Sequence, residues 1–174
     1  MKFARIVFAA LVVCGLSAYA ADASAIAVQI TKSNAVLTFP DFEGTKLSLK
    51  PYSGATSIQN AKIISSVVAP SDARMHYVVV QLSGPTTSGK GSGQCGAGEE
   101  VNLVWLKIYS PAVVDAQSIL TDSCAYTLES TPITDPKNFT VSYDSPKDNV
   151  HYMVHYDEKK PMAGFTITTT PMPK

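Results

Sequence analysis

The sequence predicts an all-β, mainly antiparallel fold: a single-domain sandwich or barrel-like meander carrying one disulfide. Three observations predict it. From residue 27 onward, apolar residues recur with a period of two rather than 3.6. Two runs, residues 76–82 (His-Tyr-Val-Val-Val-Gln-Leu) and 101–109 (Val-Asn-Leu-Val-Trp-Leu-Lys-Ile-Tyr), are apolar on both faces, as strands central to a sheet are. Turn residues separate these runs at short intervals, the spacing of sandwiches and barrels.

The elements follow in order. Ala35, Leu37 and Phe39 alternate with Val36 and Thr38 after a turn at Lys32-Ser33-Asn34, and Leu47 and Leu49 continue the alternation beyond a turn at 40–44. Residues 51–54 break the chain again. Residues 58–68 fit a helical stripe (Ala61, Ile64, Val68) or a strand, and the paired Ile63-Ile64 and Val67-Val68 favour strand. A polar connection at 70–74 leads into the first central strand, and residues 112–118 are expected to hold a short helical turn after Ser110-Pro111. Between 119 and 128, Leu120, Cys124, Tyr126 and Leu128 are expected to share one strand face, a pattern that Asp122 interrupts. Phe139, Val141 and Tyr143, then Val150, Tyr152, Val154 and Tyr156, form two apolar faces about a turn at 144–149. Phe165 and Ile167 alternate with threonines up to Thr170.

Residues 1–20 read as a secretory signal and 21–174 as the β domain. Lys2 and Arg5 make a charged n-region, residues 6–14 an apolar core, and Ala18-Tyr19-Ala20 an A-x-A cleavage site. A membrane anchor needs about 20 apolar residues, and this stretch is far shorter. Lipidation at Cys14 wants a small residue before the cysteine, where Val13 stands. The expected address is therefore the periplasm or the exterior, with no transmembrane segment after cleavage. Lys2 and Arg5 leave with the signal, so 12 basic residues face 14 acidic ones, and Arg74 is the one arginine remaining. That balance excludes the basic stripe of a nucleic-acid surface. At 45% hydrophobic and 16% charged, the 174-residue chain has the composition of a folded domain.

Once the signal is removed, Cys95 and Cys124 remain, and two cysteines in an exported chain are expected to pair. Closing a loop of about 30 residues stabilises by roughly 3–4 kcal/mol in the chain-entropy picture. Cys95 lies in the densest glycine stretch of the chain, with Gly84, Gly89, Gly91, Gly93, Gly96 and Gly98 between the two central strands. Such density implies positive φ angles or close backbone approach, and the flanking strands imply a hairpin with a long excursion at its tip. The run Gly91-Ser-Gly-Gln-Cys-Gly-Ala-Gly-Glu99, with the following strand and the later Ser123-Cys124, resembles a loose group of small exported bacterial proteins. That group shows a Gly-x-Cys-Gly-Ala-Gly-x-Glu loop ahead of a hydrophobic strand. The resemblance covers about a quarter of the chain and implies a shared architecture without catalytic residues.

Several motifs lose their chemistry in context. Residues 84–91 approximate a P-loop, but Gly91 stands where Ser or Thr would hold magnesium, and a strand rather than a helix follows. Gly91-x-Gly93-x-x-Gly96 spells a dinucleotide fingerprint with the same defect. No cofactor is expected. His151 and His155 have H-x₃-H spacing, which joins ligands on a helix; on a strand they stand about 13 Å apart, so no metal is expected. Glu99 and Glu100 are adjacent and point to opposite sides of a strand, unlike a glycosidase pair. One of them is expected to brace the glycine loop's amides. Ser92 has no nucleophile-elbow setting, and Asn138-Phe139-Thr140 is a glycosylation sequon only in a eukaryotic source.

The leading expectation is a non-enzymatic protein-binding domain, an immunity or inhibitor protein acting on a toxin or a cell-wall hydrolase. The glycine loop (Gly89, Gly91, Gly93, Gly96, Gly98, Glu99) would present Lys90, Ser92 and Gln94, since a pre-ordered tip loses less entropy on docking. One alternative is a small hydrolase assembled from His76, Glu99, Asp122 or the His151–His155 face, which needs a cleft holding histidine beside carboxylate. Another is a carbohydrate or peptidoglycan binder, which needs exposed aromatics where most tyrosines here fall on apparent core faces.

Overall fold

Two strands with no polar face must be covered on both sides, and that requirement organises the molecule. The computed structural model describes residues 26–40, 45–55, 57–85, 99–123 and 126–173. Among these residues ten strands form three antiparallel sheets, each a meander of strands successive in sequence. β1 (Ala27–Thr31), β2 (Asn34–Thr38) and β3 (Lys46–Ser48) make the first. β4 (Asn60–Ala69), β5 (Asp72–Pro85), β6 (Glu99–Tyr109) and β7 (Ala112–Ser123) make the second. β8 (Asn138–Ser145), β9 (Val150–Asp157) and β10 (Thr166–Pro171) make the third, in the order β10-β9-β8. The all-β, antiparallel expectation holds. Among the described residues no helix is long and apolar enough to cross a membrane.

The four-stranded sheet is the middle layer. Its even side chains Val78, Val80, Leu82, Val104, Leu106 and Ile108 join Ala35, Leu37, Phe39 and Leu49 in one buried cluster. Its odd side chains Tyr77, Val79, Leu103 and Trp105 join Phe139, Val141, Tyr143, Val154 and Tyr156 in another. The sandwich thus has three layers, and the middles of β5 and β6 are apolar on both sides because each face meets a different sheet. Tyr77 and Trp105, diagonal neighbours across β5 and β6, stack with centroids 6.3 Å apart. Trp105 Nε1 donates to the Pro161 carbonyl at 2.9 Å, which ties the short 3-10 turn Pro161–Ala163, between β9 and β10, to the middle sheet.

Two bulges explain where period two breaks down. Between Ile63 and Ser65 the β4–β5 register slips, so Ala61 and Ile63 face the first cluster while Ser65 and Ala69 face the second. The slip brings Ser65 Oγ within 3.1 Å of the Tyr156 hydroxyl. In β7, Val113 pairs with Ile108 but Asp115 pairs with Lys107, leaving Val114 unpaired and 53% exposed. Val113 and Ala116 then both pack on the first cluster, three residues apart. A spacing of three imitates a helix, so the helical turn expected at 112–118 is instead bulged strand.

Other boundaries also shift. β5 starts at Asp72, after a turn of only Pro70-Ser71, so most of the polar connection is strand. The strand expected to run to residue 128 ends at Ser123, because the chain reverses and Leu128 pairs back with Ser123, with Thr127 at φ 54°. β10 is exposed throughout. Ile167 pairs with the buried Val154 yet is 49% exposed, since this outer strand lies beyond the apolar cluster. Its threonines and Pro171 suit an open edge.

At Gly84 the requirement is space rather than φ. The chain leaving the first sheet crosses here: the Ile58 amide donates to the Ser33 carbonyl, and the Gln59 amide to that of Ser83. A Cβ on Gly84 would collide with the Ser57 carbonyl oxygen.

Candidate functional site: a tyrosine cleft beside the β5–β6 hairpin tip

β5 and β6 pair as far as Pro85 and Glu99, where the described part of that hairpin stops; the excursion expected between them falls on residues 86–98, outside the described residues. Gly89, Lys90, Gly91, Ser92, Gly93, Gln94, Cys95, Gly96 and Gly98 lie outside the described residues, as do Cys124, Cys14 and the whole signal segment. The expected disulfide and the loop's reaching groups therefore lie outside the described residues. At the loop's base, Glu99 is exposed and accepts a 3.3 Å hydrogen bond from Asn60 Nδ2, while Glu100 is buried. The two carboxylates diverge as strand alternation requires.

The residues considered for an assembled catalytic site are dispersed over the layers. His76 is buried in the first cluster's layer, edge-on to Phe39 at 5.7 Å. Asp122 is held by Ser130, whose amide and hydroxyl donate to its two oxygens at 2.7 and 2.8 Å. His151 and His155 stand on the solvent face of the third sheet. The structure brings none of these together with Glu99. His155 does border a hollow with Asp157, but its volume is about 130 Å³ and the Lys159 amide occupies Asp157 Oδ1 at 2.9 Å. Small-molecule sites run from about 300 to 1,000 Å³.

A cleft of about 330 Å³ opens where the third sheet parts from the end of β7. The β8–β9 register sets Tyr143 opposite Tyr152, and their rings stack at 5.1 Å and 12°. Both sit on the inward face at the end of the second cluster, Tyr143 buried in it and Tyr152 packed against it, and both also line the opening. Tyr126, 46% exposed on the turn after β7, forms another wall, with Lys147 Nζ 5.2 Å from its ring centroid. Leu120 and Leu128 supply aliphatic surface. At the rim, Ser145 donates its hydroxyl to Asp148 Oδ2 at 2.8 Å, and the Asp148 amide returns to the Ser145 carbonyl, so the 146–149 turn is locally ordered. Burial pushes the Tyr143 phenol up to about 12, with Tyr152 and Asp148 adding to the effect. It stays a neutral hydroxyl, able to donate and accept.

A second opening of about 470 Å³ is bounded by Asp135, Lys137, Asn138, Asp157, Glu158 and Lys159, and so has no aromatic wall. The tyrosine cleft alone combines flat apolar surface with fixed polar groups among these openings. It lies at the hairpin-tip end, because Glu100 pairs with Ser123 and Ser123 with Leu128, a cleft residue.

The expectation that most tyrosines fall on core faces holds for Tyr77, Tyr143, Tyr152 and Tyr156; Tyr126 is the exposed one among the described residues. The turn is 146–149, so 143 meets 152; the turn expected at 144–149 would have set 143 opposite 150, so the sequence does not carry this pairing. That Tyr126 joins them depends on the chain reversal at 126–127, which no alternation announces. No family model matches the chain, and comparison with curated proteins and with solved structures finds no match.

Proposed function

We propose that the chain is an exported, non-catalytic binding domain that takes a segment of another protein into the tyrosine cleft. The described ends of β5 and β6, Pro85 and Glu99, lead towards this side of the molecule, and the glycine-rich segment between them would supply the second half of the surface. The observation that carries this reading is the cleft's position beside the base of that segment. Tyrosine is enriched at interface hot spots because it offers large, rigid area with few torsions to freeze. An immunity or inhibitor role fits such a surface on a stiff three-layer scaffold. The test compares recovery of a periplasmic partner by the wild type, by Tyr126→Ala/Lys147→Ala and by Lys90→Ala/Gln94→Ala. Loss in both variants supports the reading; equal recovery with all three overturns it.

One observation favours a second reading. A stacked tyrosine pair with Ser145, Lys147 and Asp148 at its rim also suits a sugar ring, whose apolar face stacks while its hydroxyls bond. Titration with peptidoglycan fragments separates the two. Saturable shifts of the Tyr126 and Tyr152 ring resonances assign a glycan, and unmoved resonances remove it.

A further inference from the structure

The solvent face of the third sheet carries an unusual column. On β9, His151, Met153 and His155 alternate outward. The register places Asp144 and Thr170 beside His151, Ser142 and Thr168 beside Met153, and Thr140 and Thr166 beside His155. His151 Nδ1 lies 2.7 Å from Asp144 Oδ1, and His155 Nδ1 lies 3.1 Å from Thr140 Oγ1. A carboxylate can only accept, so in the neutral ring Nδ1 carries the proton and His151 Nε2 keeps the lone pair. A carboxylate–histidine pair of this kind orients the ring and raises its basicity towards a metal. Next to it, Met153 is 37% exposed, an uncommon place for a thioether on a surface otherwise of hydroxyls and charges.

We propose that His151 Nε2 and Met153 Sδ together hold one soft monovalent cation, copper(I) being the physiological candidate. The two residues are two apart on one strand face, about 6.6 Å between Cα atoms, which both side chains can span. His155 is twice as far from His151, and one ion does not join the two rings. Zinc fits poorly: it seeks four nitrogen or sulfur ligands, and the described residues contain no group of three or more His, Cys, Asp and Glu. A thioether with one imidazole selects a soft ion of low coordination number. The site is on the opposite face of the sheet from the tyrosine cleft and does not depend on what that cleft binds.

The experiment uses the protein with its thiols capped and silver(I), a redox-inert stand-in, followed by copper(I) under anaerobic conditions. One equivalent should saturate shifts of the Met153 methyl and His151 ring resonances. Met153→Leu and His151→Ala should each weaken binding by at least about tenfold, and Asp144→Asn by about tenfold with unchanged circular dichroism. His155→Ala should leave affinity essentially unaltered. The proposal is overturned by absence of a saturable Met153 shift, by unchanged affinity in Met153→Leu, or by His155→Ala doing as much damage as His151→Ala. Zinc binding as tightly as silver, indifferent to Met153→Leu, overturns the soft-ion assignment.

Discussion

The hydrogen bond between Ser65 and Tyr156 joins the middle sheet to the third one across a buried layer, and its removal has a calculable signature. Tyr156 is fully buried and Ser65 is 6% exposed, with 3.1 Å between the hydroxyls. Tyr156→Phe keeps the ring contacts to Phe139 and Phe165 at 5.4 and 6.3 Å and strands only the serine hydroxyl. Stranding one buried hydroxyl costs about 1–3 kcal/mol. Ser65→Ala strands the phenol instead and should cost a similar amount. In the double variant both polar groups are gone, so its loss should not exceed that of the worse single variant. The coupling energy is then about 1–2 kcal/mol. Urea unfolding of the four proteins measures it, with the slope unchanged across the set as the check on two-state behaviour. Burial raises the Tyr156 phenol and the Ser65 hydrogen bond partly lowers it, so Ser65→Ala should move that phenol's titration higher still. Additivity of the two single losses to within about 0.5 kcal/mol refutes the argument. It would mean that the hydroxyls are satisfied separately and the bulge at Ile64 has no such partner to position.

Other expectations follow from the same geometry. Gly84→Ala should destabilise by about 1–3 kcal/mol, because the new methyl group meets backbone at Ser57 rather than a movable side chain; an unchanged melting temperature contradicts it. Val114→Lys should stay within about 0.5 kcal/mol of wild type, and Val113→Lys should lose several times more, since only Val113 turns to the core; equal losses dispose of the bulge. The Tyr143 phenol, ordinarily at 10.0, is held at about 12 in the fold. The folded state thus keeps a proton that the unfolded chain releases. The associated stability is intact below pH 10 and is lost as pH rises towards 12. Urea midpoints between those limits should fall less steeply in Tyr143→Phe, and identical slopes count against it. Peptide mapping of the unreduced protein should recover Cys95 linked to Cys124, since Glu100 and Ser123 pair at the loop's base. Free thiols at both positions would remove the brace from the binding proposal.

Alternation alone made much of the architecture legible. Ala35-Leu37-Phe39, Phe139-Val141-Tyr143 and Val154-Tyr156 each put the expected side inward, and the doubly apolar runs at 76–82 and 101–109 marked the middle layer. The strand favoured over 58–68 is there, but the helical turn expected at 112–118 is not. At Ile64 and Val114 a single extra residue changes which parity faces the core, and a pattern of period two cannot report its own phase slip. Ile167 has the right parity but nothing to pack on, because whether a strand overhangs the layer below depends on sheet placement. The cleft divides in the same way. That Tyr143 and Tyr152 both point inward follows from alternation, whereas their pairing depends on a turn two residues shorter than the one expected, and Tyr126 and Lys147 reach the cleft from separate segments.

Local chemistry therefore determined the fold class and which two strands lie innermost, because side-chain direction along a strand is a property of neighbouring residues; the strand order came from the tertiary structure. Tertiary packing decided that two apolar faces meant three layers, that the layers part beside the hairpin tip, and that an imidazole, a thioether and a carboxylate share one outer face. These depend on how far sheets extend over one another and on cross-strand register, and both are set by contacts between residues distant in the chain.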